Sequence, residues 1–135
     1  MGSIGAFADG ITFTLGPDTL VLTAASGNSF TALEIGYEAS TGVIKTNANA
    51  ESTASRGLVM ASGTIAASGS GIFKKYDRIT TSGLTEGIQY LDPSTTGGFT
   101  STRPSGSGEI VRIVGYAIST TLFEFDPDHS WVELV

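Results

Sequence analysis

The chain has 135 residues, with 7 Lys and Arg against 13 Asp and Glu, a single His, no Cys and a formal net charge of −6. The missing cysteines exclude disulfide frameworks, thiolate–zinc sites and thiol nucleophiles together. The acidic balance argues against nucleic acid and against anionic membrane surfaces as partners, because phosphate neutralisation needs clustered Lys and Arg, and here only Lys74 and Lys75 are adjacent. With 18 glycines, 40% hydrophobic and 15% charged residues, the composition suits short strands joined by Gly, Ser and Thr turns.

Ile11, Phe13 and Leu15 alternate with threonines, the pattern of a half-buried strand. Gly16-Pro17-Asp18 reads as a turn and residues 19–23 as a return strand, so 11–23 is expected to form a hairpin. Leu33, Ile35 and Tyr37 alternate with Glu34 and Gly36. The turn Ser40-Thr41-Gly42 and the run Val43-Ile44-Lys45-Thr46 make a second hairpin. Residues 47–56 are small and polar and read as a loop or a single helical turn. Leu58-Val59-Met60-Ala61 is a short apolar strand, and residues 72–80 a strand with one wet face.

Further strands are expected at 88–91, 99–102, 122–125 and 131–134. The strongest runs over 110–119. Ile110, Arg112, Val114, Tyr116 and Ile118 are expected on one side of it, and Val111, Ile113, Gly115 and Ala117 on the other. Both sides are largely apolar, which places the strand centrally, and Gly115 marks a bulge or a close backbone approach. Tyr116 and Trp131 lie within apolar strands and are expected in the core. No run of ten residues has a 3.6 period. Tyr37, Gly42 and Thr46 followed by Gly57-Leu58-Val59-Met60-Ala61 echo Tyr90, Gly97 and Thr102 followed by Ile113-Val114-Gly115-Tyr116-Ala117. Coincidence between two β-meanders and duplication explain that echo equally well. The expected fold is all-β, a small antiparallel β-sandwich or partly open barrel. Residues 1–32 form an N-terminal arm or hairpin and 33–135 the main domain, or the two are continuous.

Catalytic signals are few. His129, in Asp126-Pro127-Asp128-His129, is the only candidate base, and no Gly-x-Ser-x-Gly elbow accompanies it. Ser105 sits in a bare Gly/Ser loop. The Asp126/Asp128/His129 cluster offers too few oxygens for Ca²⁺ and reads as a surface turn. No catalytic residue, cofactor or metal ligand is assigned. Tyr76, Tyr90, Tyr116 and Trp131 are the aromatic residues that a sugar platform would use. The edge strand carrying Ile11, Phe13 and Leu15, with Trp131, supplies the interface candidates. The opening residues lack the basic and apolar runs of a secretory leader, and no stretch is long and apolar enough to span a bilayer.

From about residue 57 several motifs follow one another in order: Gly57-Leu58-Val59-Met60-Ala61, Gly83-Leu84-Thr85-Glu86-Gly87-Ile88-Gln89-Tyr90-Leu91, Gly97-Gly98-Phe99-Thr100, Thr102-Arg103-Pro104, Val111-Arg112-Ile113-Val114-Gly115-Tyr116-Ala117, Phe125-Asp126-Pro127 and Trp131-Val132-Glu133-Leu134. The ordered set resembles a C-terminal module of tailed-bacteriophage virion structural proteins: head decoration proteins, head fibres and tail-fibre-like proteins. The resemblance covers a little over half the chain and brings no catalytic residues. It implies a capsid decoration (cement) protein, made in the host bacterial cytoplasm and located on the capsid surface of the virion. Its expected partner is the major capsid protein. A homotrimer is expected because sites of local three-fold symmetry favour cyclic oligomers. The alternative is a fibre module that binds host surface glycans through its aromatics.

Overall fold

The computed structural model describes residues 3–6, 12–14 and 16–135. Its strands are Ser3–Ala6 (β1), Thr12–Thr14 (β2), Thr19–Thr23 (β3), Ile35–Ala39 (β4), Gly42–Lys45 (β5), Leu58–Ala61 (β6), Ser70–Lys74 (β7), Asp77–Thr80 (β8), Gly87–Leu91 (β9), Phe99–Thr100 (β10), Ile110–Val111 (β11), Ile113–Ala117 (β12), Leu122–Phe125 (β13) and Val132–Glu133 (β14). One helical turn, Glu51–Ala54 (α1), falls in the stretch read as loop or helical turn. The fold is all-β and antiparallel, as expected, with two five-stranded sheets and two two-stranded ribbons among the described residues.

Sheet one has the order β3-β7-β6-β4-β5 and sheet two the order β8-β13-β12-β9-β10. The expected β4–β5 hairpin forms, with Tyr37 opposite Ile44 and Ala39 opposite Gly42. Gly42 has φ +122°, and a Cβ there would lie 2.8 Å from the Thr23 oxygen and 2.8 Å from the Ala25 nitrogen, so only glycine fits this crossing of β5 and the end of β3. At the same end Ala24 bridges Val43, so sheet one curls until its opposite edges touch at one point without closing a barrel.

The curl explains how β6 is buried on both sides. Val59 and Ala61 point into the concave back of sheet one, with Val43 and Phe73, and that hollow is filled by Phe30 and Ile65 from the two long connections. Phe30 and Ile65 bridge each other, and the Phe30 and Phe73 rings meet edge to face at 5.2 Å. Leu58 and Met60 point to the front with Ile35 and Tyr37. They pack against Leu91, Val114, Phe123 and Phe125 of sheet two. The front of sheet one thus seals the back of sheet two, and this is the main core. Residues 19–32 belong to sheet one and the hollow behind it: β3 pairs with β7 along its length, and Ala24 and Phe30 are buried there.

The two sheets share one strand order, in which the first strand of each unit lies beside the last, and they share a register. Ile35 faces Met60, Met60 faces Lys74 and Lys74 faces Thr19 in sheet one. Ile88 faces Tyr116, Tyr116 faces Glu124 and Glu124 faces Arg78 in sheet two. Phe73 and Phe123 occupy the same place and are both fully buried. The faint sequence echo pairing Tyr37 with Tyr90 therefore corresponds to two copies of one five-stranded unit, stacked front of the first on back of the second.

Several expectations are corrected. Residues 11–23 do not form a hairpin: β2 pairs with β1, and β3 with the distant β7, Thr19 opposite Lys74 and Thr23 opposite Ser70. Residues 72–80 are two strands. The chain bends at Lys75 and Tyr76 and passes from sheet one to sheet two, so the wet and dry faces change there. Residues 110–119 are broken at Arg112: β11 pairs with β14, while β12 is the central strand of sheet two, as expected. A bulge lies between Ile113 and Gly115, opposite Tyr90 and Gln89. The extra residue inverts the alternation. Ile110, Arg112 and Val114 point inward, but Tyr116 and Ile118 point out. Gly115 meets both readings offered for it, because it sits at the bulge and a Cβ there would overlap the Glu124 carbonyl oxygen.

Candidate interaction surface

Among the described residues, the stacking leaves the front of sheet two without a cover. Its residues follow from alternation: Ile88 and Tyr90 on β9 flank the buried Gln89, Tyr116 lies outward on β12, and Glu124 and Arg78 continue the row across β13 and β8. Ile88 is 38% exposed, Tyr116 45% and Ile118 42%. The connections 81–86 and 118–121 are short and bring no plug across the back of sheet two, which sheet one seals instead. The matching connections of sheet one, 24–34 and 62–69, are long enough to bring Phe30 and Ile65 across.

At the polar end of the row the Tyr76 hydroxyl donates to Glu124 Oε2 at 2.5 Å, and Arg78 Nε lies 3.8 Å from the same oxygen. Hydrogen bonding to the carboxylate, above all, pushes the Tyr76 hydroxyl above the usual tyrosine range. The surface is a strip of aliphatic and tyrosine side chains with one internally balanced charge pair. It offers shape, apolar area and a few hydrogen bonds, the equipment of a binding face.

The expected core positions of Tyr116 and Trp131 are thus corrected. The bulge turns Tyr116 outward. Trp131 is 37% exposed because the β11–β14 ribbon stands outside both sheets, and its ring lies over the Arg112 guanidinium at 5.7 Å. Of the other interface candidates, Phe13 lies in β2, and Ile11 and Leu15 lie outside the described residues.

Arg112 is the buried cation of the molecule's described part, 3% exposed. It points inward beside the bulge and gives its donors to backbone: Nε to the Asp128 oxygen at 2.9 Å, Nη1 to the Ala54 oxygen at 2.7 Å and the Arg56 oxygen at 2.6 Å. Two of these carbonyls close the end of α1, whose last turn has no basic residue of its own. Burial lowers the guanidinium's pKa, against a smaller opposing pull from Asp128. Arg112 ties α1, the 126–131 loop and the central strand together.

A cleft of about 300 Å³ opens beside it, lined by Asp18, Glu38, Lys75, Tyr76, Asp126 and His129 among others. His129 is exposed, and no serine is among the described residues lining this cleft. Ser105 lines a separate hollow with Arg103, Pro104 and Glu109, and its amide is held by Glu109. The structure therefore does not bring Ser105 and His129 together. Among the described residues no three His, Asp or Glu side chains gather as a metal site would require, and no helix is long and apolar enough to cross a membrane.

Sequence reasoning named Tyr76, Tyr90 and Tyr116 as aromatics but missed Ile88 and the face they share. The usable signal was the echo: once Tyr37 is aligned with Tyr90, Ile88 falls on Ile35 and Tyr116 on Met60, both front-face positions. Comparison with protein-family models, with curated proteins and with solved structures finds no significant match to this chain.

Proposed function

We propose that this chain is a non-enzymatic structural protein of a tailed-phage particle, a decoration protein that stabilises the head by binding the major capsid protein as a homotrimer. It would be made in the host cytoplasm and end on the outer surface of the capsid. The observation that carries a binding role is the uncovered front of sheet two, where Ile88, Tyr116 and Ile118 stand in solvent on a rigid antiparallel sheet. The capsid as target rests on the ordered motifs from residue 57 onward. A protein that binds only the assembled shell stabilises it by mass action, without any chemical step. The test is to add the purified protein to empty capsids. It should bind to saturation at a fixed ratio to the capsid protein and raise the melting temperature of the shell. Capsids whose melting is unchanged at saturating protein would refute the reading.

A second reading is favoured by the grouping of Tyr90, Tyr116 and Tyr76 along one face: a fibre module that stacks tyrosines on host glycans. In that case glycan or cell binding should be lost on Tyr116→Ala with the fold retained, and capsid binding should be absent.

A further inference from the structure

We propose that the cleft beside Arg112 binds an acidic sugar, its carboxylate on the guanidinium and its hydroxyls on the carboxylates of the rim. This site rests on neither reading of the front of sheet two.

Arg112 is a cation, 3% exposed, with no carboxylate in ion-pair range among the described residues. A charge held out of water is ordinarily met by an opposite one. Here the Nε and Nη1 hydrogens go to three neutral carbonyl oxygens, and the Asp128 carboxylate acts on the guanidinium only from beyond ion-pair distance. The two hydrogens of Nη2 remain. That nitrogen has no acceptor among the described residues, yet it is not sealed from solvent. The space that reaches it is the cleft of about 300 Å³. A negatively charged acceptor placed there completes the arginine, and a carboxylate suits the edge of a guanidinium.

The rim dictates what else the ligand carries. Asp18, Glu38 and Asp126 are exposed carboxylates on it. Ionised, they only accept hydrogen bonds, so the ligand must bring donors as well as its acid group. Three such charges, in a molecule of net −6, repel phosphate esters and dense polyanions. Lys75 and His129, also on the rim, can donate to ring and hydroxyl oxygens. The Tyr76 hydroxyl is taken by Glu124, so what this residue lends the cleft is its ring, with Leu58 and Pro127 as further apolar lining. An aromatic ring accepts the C–H face of a sugar. One carboxylate, several hydroxyls and an apolar face on a single rigid ring describe a uronic acid. The cleft volume lies at the lower limit of small-molecule sites, which suits one sugar unit.

NMR of the full chain tests this, because the Arg112 Nε–H gives a signal of its own. Glucuronate at up to about 20 mM should shift that signal and the backbone amides of Lys75 and His129. Glucose lacks the acid, and acetate and alanine lack the ring; each should bind about ten-fold more weakly or less. Tyr76→Ala and the double variant Glu38→Ala with Asp126→Ala, all at exposed positions, should each weaken glucuronate roughly five-fold. Arg112→Lys, checked by circular dichroism for a wild-type spectrum, should lose the binding. Tyr116→Ala, on the front of sheet two, should bind glucuronate as the wild type does, which separates this site from the glycan face of the fibre reading. Glucuronate that leaves these signals in place overturns the proposal. So does glucose, acetate or alanine binding as tightly, or a Tyr76→Ala protein that binds as the wild type does.

Discussion

Arg112→Met removes three hydrogen bonds and a buried charge while nearly conserving side-chain length. The bonds, at 2.9, 2.7 and 2.6 Å, come from a charged donor, and such bonds contribute about 1.5–3 kcal/mol each. Against that sum stands the cost of holding the guanidinium out of water, several kcal/mol for a buried ion. The carbonyls of Ala54, Arg56 and Asp128 lose this donor, and each one left dry costs about 1–3 kcal/mol. The net expectation is a loss of about 3–4 kcal/mol, a large fraction of the 5–15 kcal/mol typical of a domain. For a chain of this length that lowers Tm by roughly 10–15 °C. Urea denaturation followed by circular dichroism measures it, and an unchanged slope shows that the same surface is exposed in both proteins. Arg112→Lys keeps the charge, but its ammonium has no planar fork to reach carbonyls on two separate segments, so it should lose about half as much. A loss below ~1 kcal/mol for Arg112→Met would refute the view that this arginine ties the three segments together.

Gly115→Ala drives a methyl into the Glu124 carbonyl and within 3.0 Å of the Phe123 ring, where main chain must give way; a loss of about 2–3 kcal/mol is expected from the same melts. Phe73→Ala and Phe123→Ala strike equivalent positions of the two units, each fully buried. Each should cost about 3–5 kcal/mol, and a near-neutral result at either would break the equivalence. Burial pulls the Glu34 carboxyl up, but the Thr31 amide and the Lys45 ammonium together hold it below the ordinary carboxylate range. A depressed folded-state pKa contributes stability that is present above the unfolded value and is lost as pH falls through the folded one. The advantage of the wild type over Glu34→Gln, about 0.5–1 kcal/mol for a partly exposed pair, should therefore be full near pH 6 and fade below about pH 4. An advantage that grows as pH falls would contradict the assignment.

Which residues form strands was readable from the chain; which strands are neighbours was not. Leu122–Phe125 and Leu58–Ala61 are where alternation and apolar runs put them, and the β4–β5 hairpin follows from its glycine turn. The hairpin expected at 11–23 failed because Pro17 and Asp18 make a turn without dictating what pairs across it: β3 finds β7 instead. The change of sheet at Lys75 and Tyr76 carries no Gly or Pro, so nothing local announces it. The outward face of sheet two was hidden by a single inserted residue. Counting in twos through Val114 puts Tyr116 inside, and only the pairing with β9 reveals that the count must restart. Trp131 looked like an anchor because tryptophan buries well, yet it leads into a ribbon that lies outside the sheets, and its ring stands over Arg112.

The two units differ in how they complete themselves, and this bears on the order in which the chain acquires structure. The first supplies its own plug: Phe30 and Ile65 close its hollow with residues that leave the ribosome before β8 exists. The second has no plug, and its phenylalanines are dry only when the first sheet is already there to receive them. Synthesis from the N-terminus thus presents a finished template before the segment that needs it, and Met60 and Ile35 wait in water only until Phe123 and Phe125 arrive. A chain with the units in the reverse order would expose its unplugged half first, at the stage when neighbouring nascent chains are the nearest apolar surface.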